Sequence, residues 1–244
     1  MTRVEKAAPL LALIRKNESD GAVKAQGVAS AYDVVYSGIP KANRPKNALT
    51  TYPIREVIEW QRFVVSKGAK SSAAGAYQII RSALEWLKAG GIFDAACQDG
   101  LALQLLDRRG WDDCEAGRMS AVDFADMLSR EWASLPVQRD QRGASRQVSR
   151  GQSYYAGDGL NKAHAAPEDV LAAVTAALGA PVADPDPVAA RFAAIEAEGE
   201  ARDAEIAALT ARLARLEAWQ AKQQAFSGQV ARKLSGRLGW WSRK

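Results

Sequence analysis

The chain has 244 residues, 48% of them hydrophobic and 25% charged, and its 33 Lys+Arg against 28 Asp+Glu give a formal net charge of +5. That length accommodates one domain or two small ones around a real core, and the composition excludes disordered, collagen-like and disulfide-dense chains. Two distant cysteines, Cys97 and Cys114, and a single histidine, His164, exclude a Cys/His zinc site. They leave reduced thiols and a solvent-exposed imidazole rather than a nucleophilic triad.

In chain order, residues 4–16 read as an amphipathic helix with apolar side chains at 10, 11, 13 and 14. Arg3 and Lys6 before the apolar run 7–14 imitate a signal peptide, but the run ends in Arg15 and Lys16 with no small-residue cleavage site, so no signal peptide is expected. Nothing approaches the roughly 18 to 20 apolar residues of a membrane span. The polar loop 17–21 follows, closed by Gly21, as at a helix end. Residues 31–36, dense in β-branched and aromatic side chains and bounded by Ser37 and Gly38, predict a strand. Residues 40–53 read as proline-punctuated loop and 54–65 as helix, with Ile54, Val57 and Ile58 inward. Beyond the small-residue loop 67–75, helices are predicted at 77–88, 95–109 and 121–133, separated by Gly90, Gly91, Gly110 and Gly117.

The charge divides into blocks: residues 1–155 carry 22 basic and 17 acidic side chains, 156–217 carry 5 and 11, and 218–244 carry 6 and none. Three of the nine prolines fall at 181, 185 and 187, so 180–187 reads as a linker. After it, Phe192, Ile195, Ile206, Leu209, Leu213 and Leu216 occupy a and d positions of one heptad frame, weak at Gly199 and Arg202. This predicts a coiled coil within 188–225, making the protein a homo-oligomer through 192–219; the competing reading is one amphipathic helix folded back on the main domain. In the tail 226–244, Phe226, Val230, Leu234, Leu238 and Trp241 share a helical face beside Arg232, Lys233 and Arg237. Such a tail suits contact with a membrane or outer-envelope surface. A solvated basic tail is the alternative, and with no stacking platform or groove-reading motif no nucleic-acid partner is expected.

One acid stands apart by position. Glu18 falls at a helix C-terminus beside a glycine loop, where the helix dipole and burial both disfavour ionisation, as a general acid requires. Composition alone does not distinguish it from the other 27 acids, and a solvated helix-end glutamate is the default reading.

Four motifs in order do distinguish it: Glu18-Ser19-Asp20; Ala31 to Gly38, containing Tyr32 and Asp33; Ser71 to Ile80, containing Ser72, Gly75, Tyr77 and Gln78; and Trp132 to Pro136. With these motifs the stretch 8–178 resembles the bacteriophage lambda endolysin family. The resemblance implies a lytic transglycosylase with a lysozyme-like fold in which 170–178 is the closing helix; with the elements read above, the expected fold is α+β, a mainly helical domain over 1–179 with a small N-terminal β-sheet, followed by a C-terminal coiled coil or amphipathic helix that the resemblance does not cover. It implies Glu18 as the catalytic glutamate, with Ser19, Tyr32, Asp33, Ser72, Gly75, Tyr77 and Gln78 on the substrate, peptidoglycan glycan strands, and no cofactor or metal. It also implies accumulation in the host cytoplasm before release to the cell wall. Departures from the family pattern are the basic segment 41–46, an insertion between Pro136 and Tyr154, and everything after the linker.

Several alternatives stay open. Asp33 reaching a water on the far sugar face would give a hydrolytic muramidase, against the reading of a turn carboxylate accepting backbone N–H groups. Gln78 binds a sugar acetamido group or caps a helix, and Tyr77 is core or a stacking surface. The protein could also be virion-associated, or a non-catalytic wall-binding module with a membrane-active tail.

Overall fold

The computed structural model describes residues 2–179 together with 202, 206 and 209–213. The chain divides into two compact units, Met1–Val182 and Ala183–Lys244. The linker expected at 180–187, most of the coiled coil and the basic tail lie outside the described residues. Within the second unit, residues 202, 206 and 209–213 are helical, with Ile206, Leu209 and Leu213 exposed.

The first unit is built on α1 (Arg3–Glu18). Thr2 starts it with a reciprocal cap: its hydroxyl accepts the Glu5 N–H at 3.1 Å while its own N–H donates to the Glu5 carboxylate at 2.7 Å. Ala7, Leu10, Leu11 and Ile14, at helical spacing, are buried and pack on α5 and α8. Each such leucine or isoleucine contributes about 1.5–3 kcal/mol by leaving water. After Glu18 the chain turns through a 3-10 segment (Asp20–Ala22) into the short α2 (Val23–Gln26), which Gly27 ends in the left-handed conformation.

The middle of the unit holds α3 (Ile54–Ser66), α4 (Arg81–Trp86), α5 (Ala95–Arg108), α6 (Trp111–Glu115) and α7 (Ala121–Leu128). Asp94 and Ser120 cap α5 and α7 through side-chain hydrogen bonds to backbone N–H groups. A two-residue antiparallel ladder, β1 (Gln141–Arg142) with β2 (Gln147–Val148), precedes α8 (Pro167–Ala177). Proline at the start of α8 costs no helical hydrogen bond, and Val170, Val174 and Ala177 close the core against α1 and α7.

The mainly helical α+β class holds, with three local corrections. The two-stranded sheet lies within 141–148 rather than near the N-terminus. Residues 31–36 instead make a 3-10 turn (Ala31–Asp33) followed by a single bridge from Val35 to Ala74. The Asp33 side chain anchors that turn to Thr50 and Ser30, competing with an extended ladder. The helix expected at 77–88 begins only at Arg81, because residues 74–79 form a tight bridged turn in which Gln78 has φ of 47°. The helix expected over 121–133 stops at Leu128.

The two cysteines are free thiols, Cys114 buried and Cys97 partly so, and His164 is exposed. No helix among the described residues is long and apolar enough to cross a membrane.

Candidate active site

Three hydrogen bonds join the separated motifs at the C-terminal end of α1. The buried Ser19 hydroxyl donates to the Ala76 carbonyl at 2.8 Å, tying the helix end to the 75–78 turn. The Trp132 indole N–H donates to the Tyr77 carbonyl at 3.1 Å, tying that turn to the 132–136 segment. The Ser134 hydroxyl donates to Glu18 Oε1 at 2.6 Å, closing the ring. The Ser134 carbonyl in turn accepts the N–H groups of His164 at 2.7 Å and Ala165 at 3.2 Å.

Glu18 is only partly exposed. Burial is the largest influence on its carboxyl and pushes the pKa above the usual carboxylate range, while hydrogen bonds from Ser134 pull in the opposite direction. The C-terminus of α1 acts in the same sense as burial, because the negative end of its dipole disfavours a carboxylate. This is the environment of a carboxyl that still carries its proton where an ordinary glutamate has lost it.

Below the site, a polar cluster locks the turn. The Tyr77 ring is fully buried. Its hydroxyl donates to Asp99 at 2.5 Å and accepts from Arg15 at 2.9 Å. Burial, and then the Asp99 hydrogen bond, raise the Tyr77 pKa, so the hydroxyl remains a donor. Tyr32 also donates to Asp99, at 2.9 Å, and meets the Tyr77 ring edge-on. Gln98, fully buried, accepts the Ala76 N–H at 2.8 Å and donates to the carbonyls of Tyr32 and Phe93.

The residues expected on substrate therefore divide. Glu18, Tyr32 and Gln78 are partly exposed and remain candidates for contact. Ser19, Ser72, Gly75 and Tyr77 are buried, and each makes contacts that hold the turn or a helix end in place. The Ser72 hydroxyl accepts the Arg81 N–H at 3.2 Å, satisfying a free donor at the start of α4. Gly75 has φ of 78°, and a Cβ there would stand 2.2 Å from Gln98 Oε1. Gln78 caps no helix; its side-chain amide donates to the Gly75 carbonyl at 2.9 Å, across its own turn.

Asp33 is buried and already accepts three donors: the Thr50 N–H at 3.0 Å, the Thr50 hydroxyl at 2.9 Å and the Ser30 hydroxyl at 3.2 Å. That is the turn-anchoring arrangement. Among the described residues no group of three or more His, Cys, Asp or Glu could hold a metal ion.

Sequence reasoning passed over Ser134 and Asp99. Ser134 lies inside a motif that had been singled out, so its signal was present but unassigned. Asp99 carries no local signal, since an acid on a helix face looks like any solvated one.

Comparison with known proteins places this geometry in context. A family model described as Endolysin matches residues 8–160, more than half of the chain. No curated protein and no solved structure matches it.

Proposed function

The chain belongs to the endolysin family, phage enzymes that degrade bacterial cell-wall peptidoglycan, and from that premise we propose a lytic transglycosylase in which Glu18 is the sole acid and base. The target is the β-1,4 bond between N-acetylmuramic acid and N-acetylglucosamine. Protonated Glu18 gives its proton to the bridging oxygen as the bond breaks, and the 2-acetamido group of the substrate stabilises the oxocarbenium-like centre. Glu18, now a carboxylate, accepts the proton of the muramic acid 6-hydroxyl as that oxygen closes a 1,6-anhydro ring. Water is not consumed.

The observation that carries this reading is the raised pKa of Glu18 at the junction of three motifs. Against the hydrolytic alternative stands Asp33, the carboxylate that would activate water, whose oxygens are already committed to Thr50 and Ser30. Mass spectrometry of digested peptidoglycan separates the reactions: 1,6-anhydro muramic ends are expected, and reducing muramic ends would establish hydrolysis. Glu18→Gln, isosteric and unable to give up a proton, is expected to lower turnover about 10²–10⁴-fold. Undiminished lysis by that variant would leave a wall-binding module as the better reading.

The second unit is proposed to assemble copies of the chain. The exposed Ile206, Leu209 and Leu213 lie at i, i+3 and i+7 on helical residues, the spacing of a coiled-coil seam. The basic tail at 226–244 is proposed to touch an anionic envelope surface. Vesicle co-sedimentation tests this, with binding expected to anionic lipid and lost in 0.5 M salt.

A further inference from the structure

A cleft of about 420 Å3 opens in the first unit without Glu18 among its lining residues. One wall is the end of α2 and its turn, at Gln26 and Gly27; the other is the loop carrying Lys41, Arg44 and Lys46. The single acid in the lining is Asp33, already holding three donors.

Among the described residues, none of the three cations forms an ion pair within the protein. Arg44 uses only its Nε–H, on the Ile39 carbonyl at 3.0 Å. That bond orients the guanidinium and leaves both terminal nitrogens for a ligand. The walls are fixed independently of any occupant. Gln26 makes a two-point hydrogen bond to the backbone of Val35, at 2.6 and 3.1 Å, and the Trp60 indole N–H holds the Asn43 carbonyl at 2.9 Å.

The cleft also adjoins the 75–78 turn that is tied to the Glu18 end of α1. Val34, between the lining residues Asp33 and Val35, accepts the Gly75 N–H at 2.7 Å, so one face of this short segment serves the cleft while its backbone carries the 75–78 turn.

An oriented guanidinium flanked by two lysines selects a planar anion over a neutral sugar, because the fork of N–H donors matches the two oxygens of a carboxylate. The glycan backbone of peptidoglycan bears no charge beside its reacting bond, whereas the peptide stem on each muramic acid ends in free carboxylates. We propose that this cleft binds a stem-peptide carboxylate, so that the protein reads the peptide as well as the glycan. The proposal rests on the peptidoglycan reading above and adds a determinant of substrate choice to it.

The test uses the full chain carrying Glu18→Gln, to observe binding without turnover. Calorimetric titration compares a muramyl tripeptide with two free carboxylates against its diamidated form. The acid is expected to bind about tenfold tighter. The preference should vanish in Lys41→Gln/Lys46→Gln, which alters exposed side chains only, and shrink in Arg44→Lys, which keeps the charge but loses the fork. Inorganic phosphate at equal concentration should not displace the peptide. Equal binding of acid and amide, or displacement by phosphate, overturns the proposal.

A kinetic arm uses chains with Glu18 intact. The double lysine variant is expected to match the unaltered chain on stem-stripped glycan and to show about a tenfold higher KM on native peptidoglycan. A change of equal size on both substrates overturns the proposal. If the unaltered chain cleaves neither substrate, the transglycosylase reading fails, while the calorimetric comparison still decides the cleft.

Discussion

At the scale of single residues, Ser134 sets how acidic Glu18 is. Its hydroxyl favours the carboxylate and so lowers a pKa that burial raises. In Ser134→Ala the Glu18 pKa rises further. A general acid loses activity as pH climbs through its pKa, so the alkaline limb of the kcat/KM profile should move to higher pH, read from rates between pH 5 and 9. The same shift bears on stability. With the folded pKa above the unfolded value near 4.3, the folded state gives up stability as pH rises from there through the folded pKa. Glu18→Gln should therefore raise Tm relative to the unaltered chain at pH 7 and leave it unchanged near pH 3.5. Gly75 is equally constrained, by backbone rather than charge. Gly75→Ala combines a positive φ with a clash against Gln98 Oε1, and denaturant unfolding should register a loss of about 2–4 kcal/mol.

At the scale of elements, α1 carries an internal liability. Pro9 lies inside the helix, exposed, where it removes a backbone donor and crowds the preceding turn. Pro9→Ala should stabilise the unit by about 1–3 kcal/mol in thermal or denaturant melts, without altering the Glu18 end of the helix. How well each element could be read in the sequence follows from what holds it. Helices α1, α3, α5 and α8 bury one face each, and that periodicity is visible in the chain. The 31–36 segment misleads because strand preference reports packing on a pleated surface, whereas here Asp33 fixes a turn through distant Thr50. Residues 77–80 mislead for a related reason: mostly apolar, they suit a helix, but the turn they belong to depends on Gln98 and Trp132, which reach it from elsewhere in the sequence. Glu18 was legible through motif order, while the Ser134 contact, 116 residues away, needed the fold.

At the scale of the whole molecule, the net charge of +5 averages over blocks of opposite sign. With a Debye length of about 8 Å at physiological salt, each block acts locally. Light scattering of the full chain should give a multimer, and of a chain ending at residue 187 a monomer; an unchanged mass would remove the coiled coil as the assembly element. The first unit has a temporal order of its own. Glu18 ends the first helix of this unit to be synthesised, yet its partner Ser134 is held by the backbone of His164 and Ala165, immediately before the helix that closes the core. A nascent chain still lacking that last helix has the glutamate but not its finished setting. A chain that stops short of His164 therefore keeps Glu18 but lacks the two backbone N–H groups that hold the Ser134 carbonyl in place.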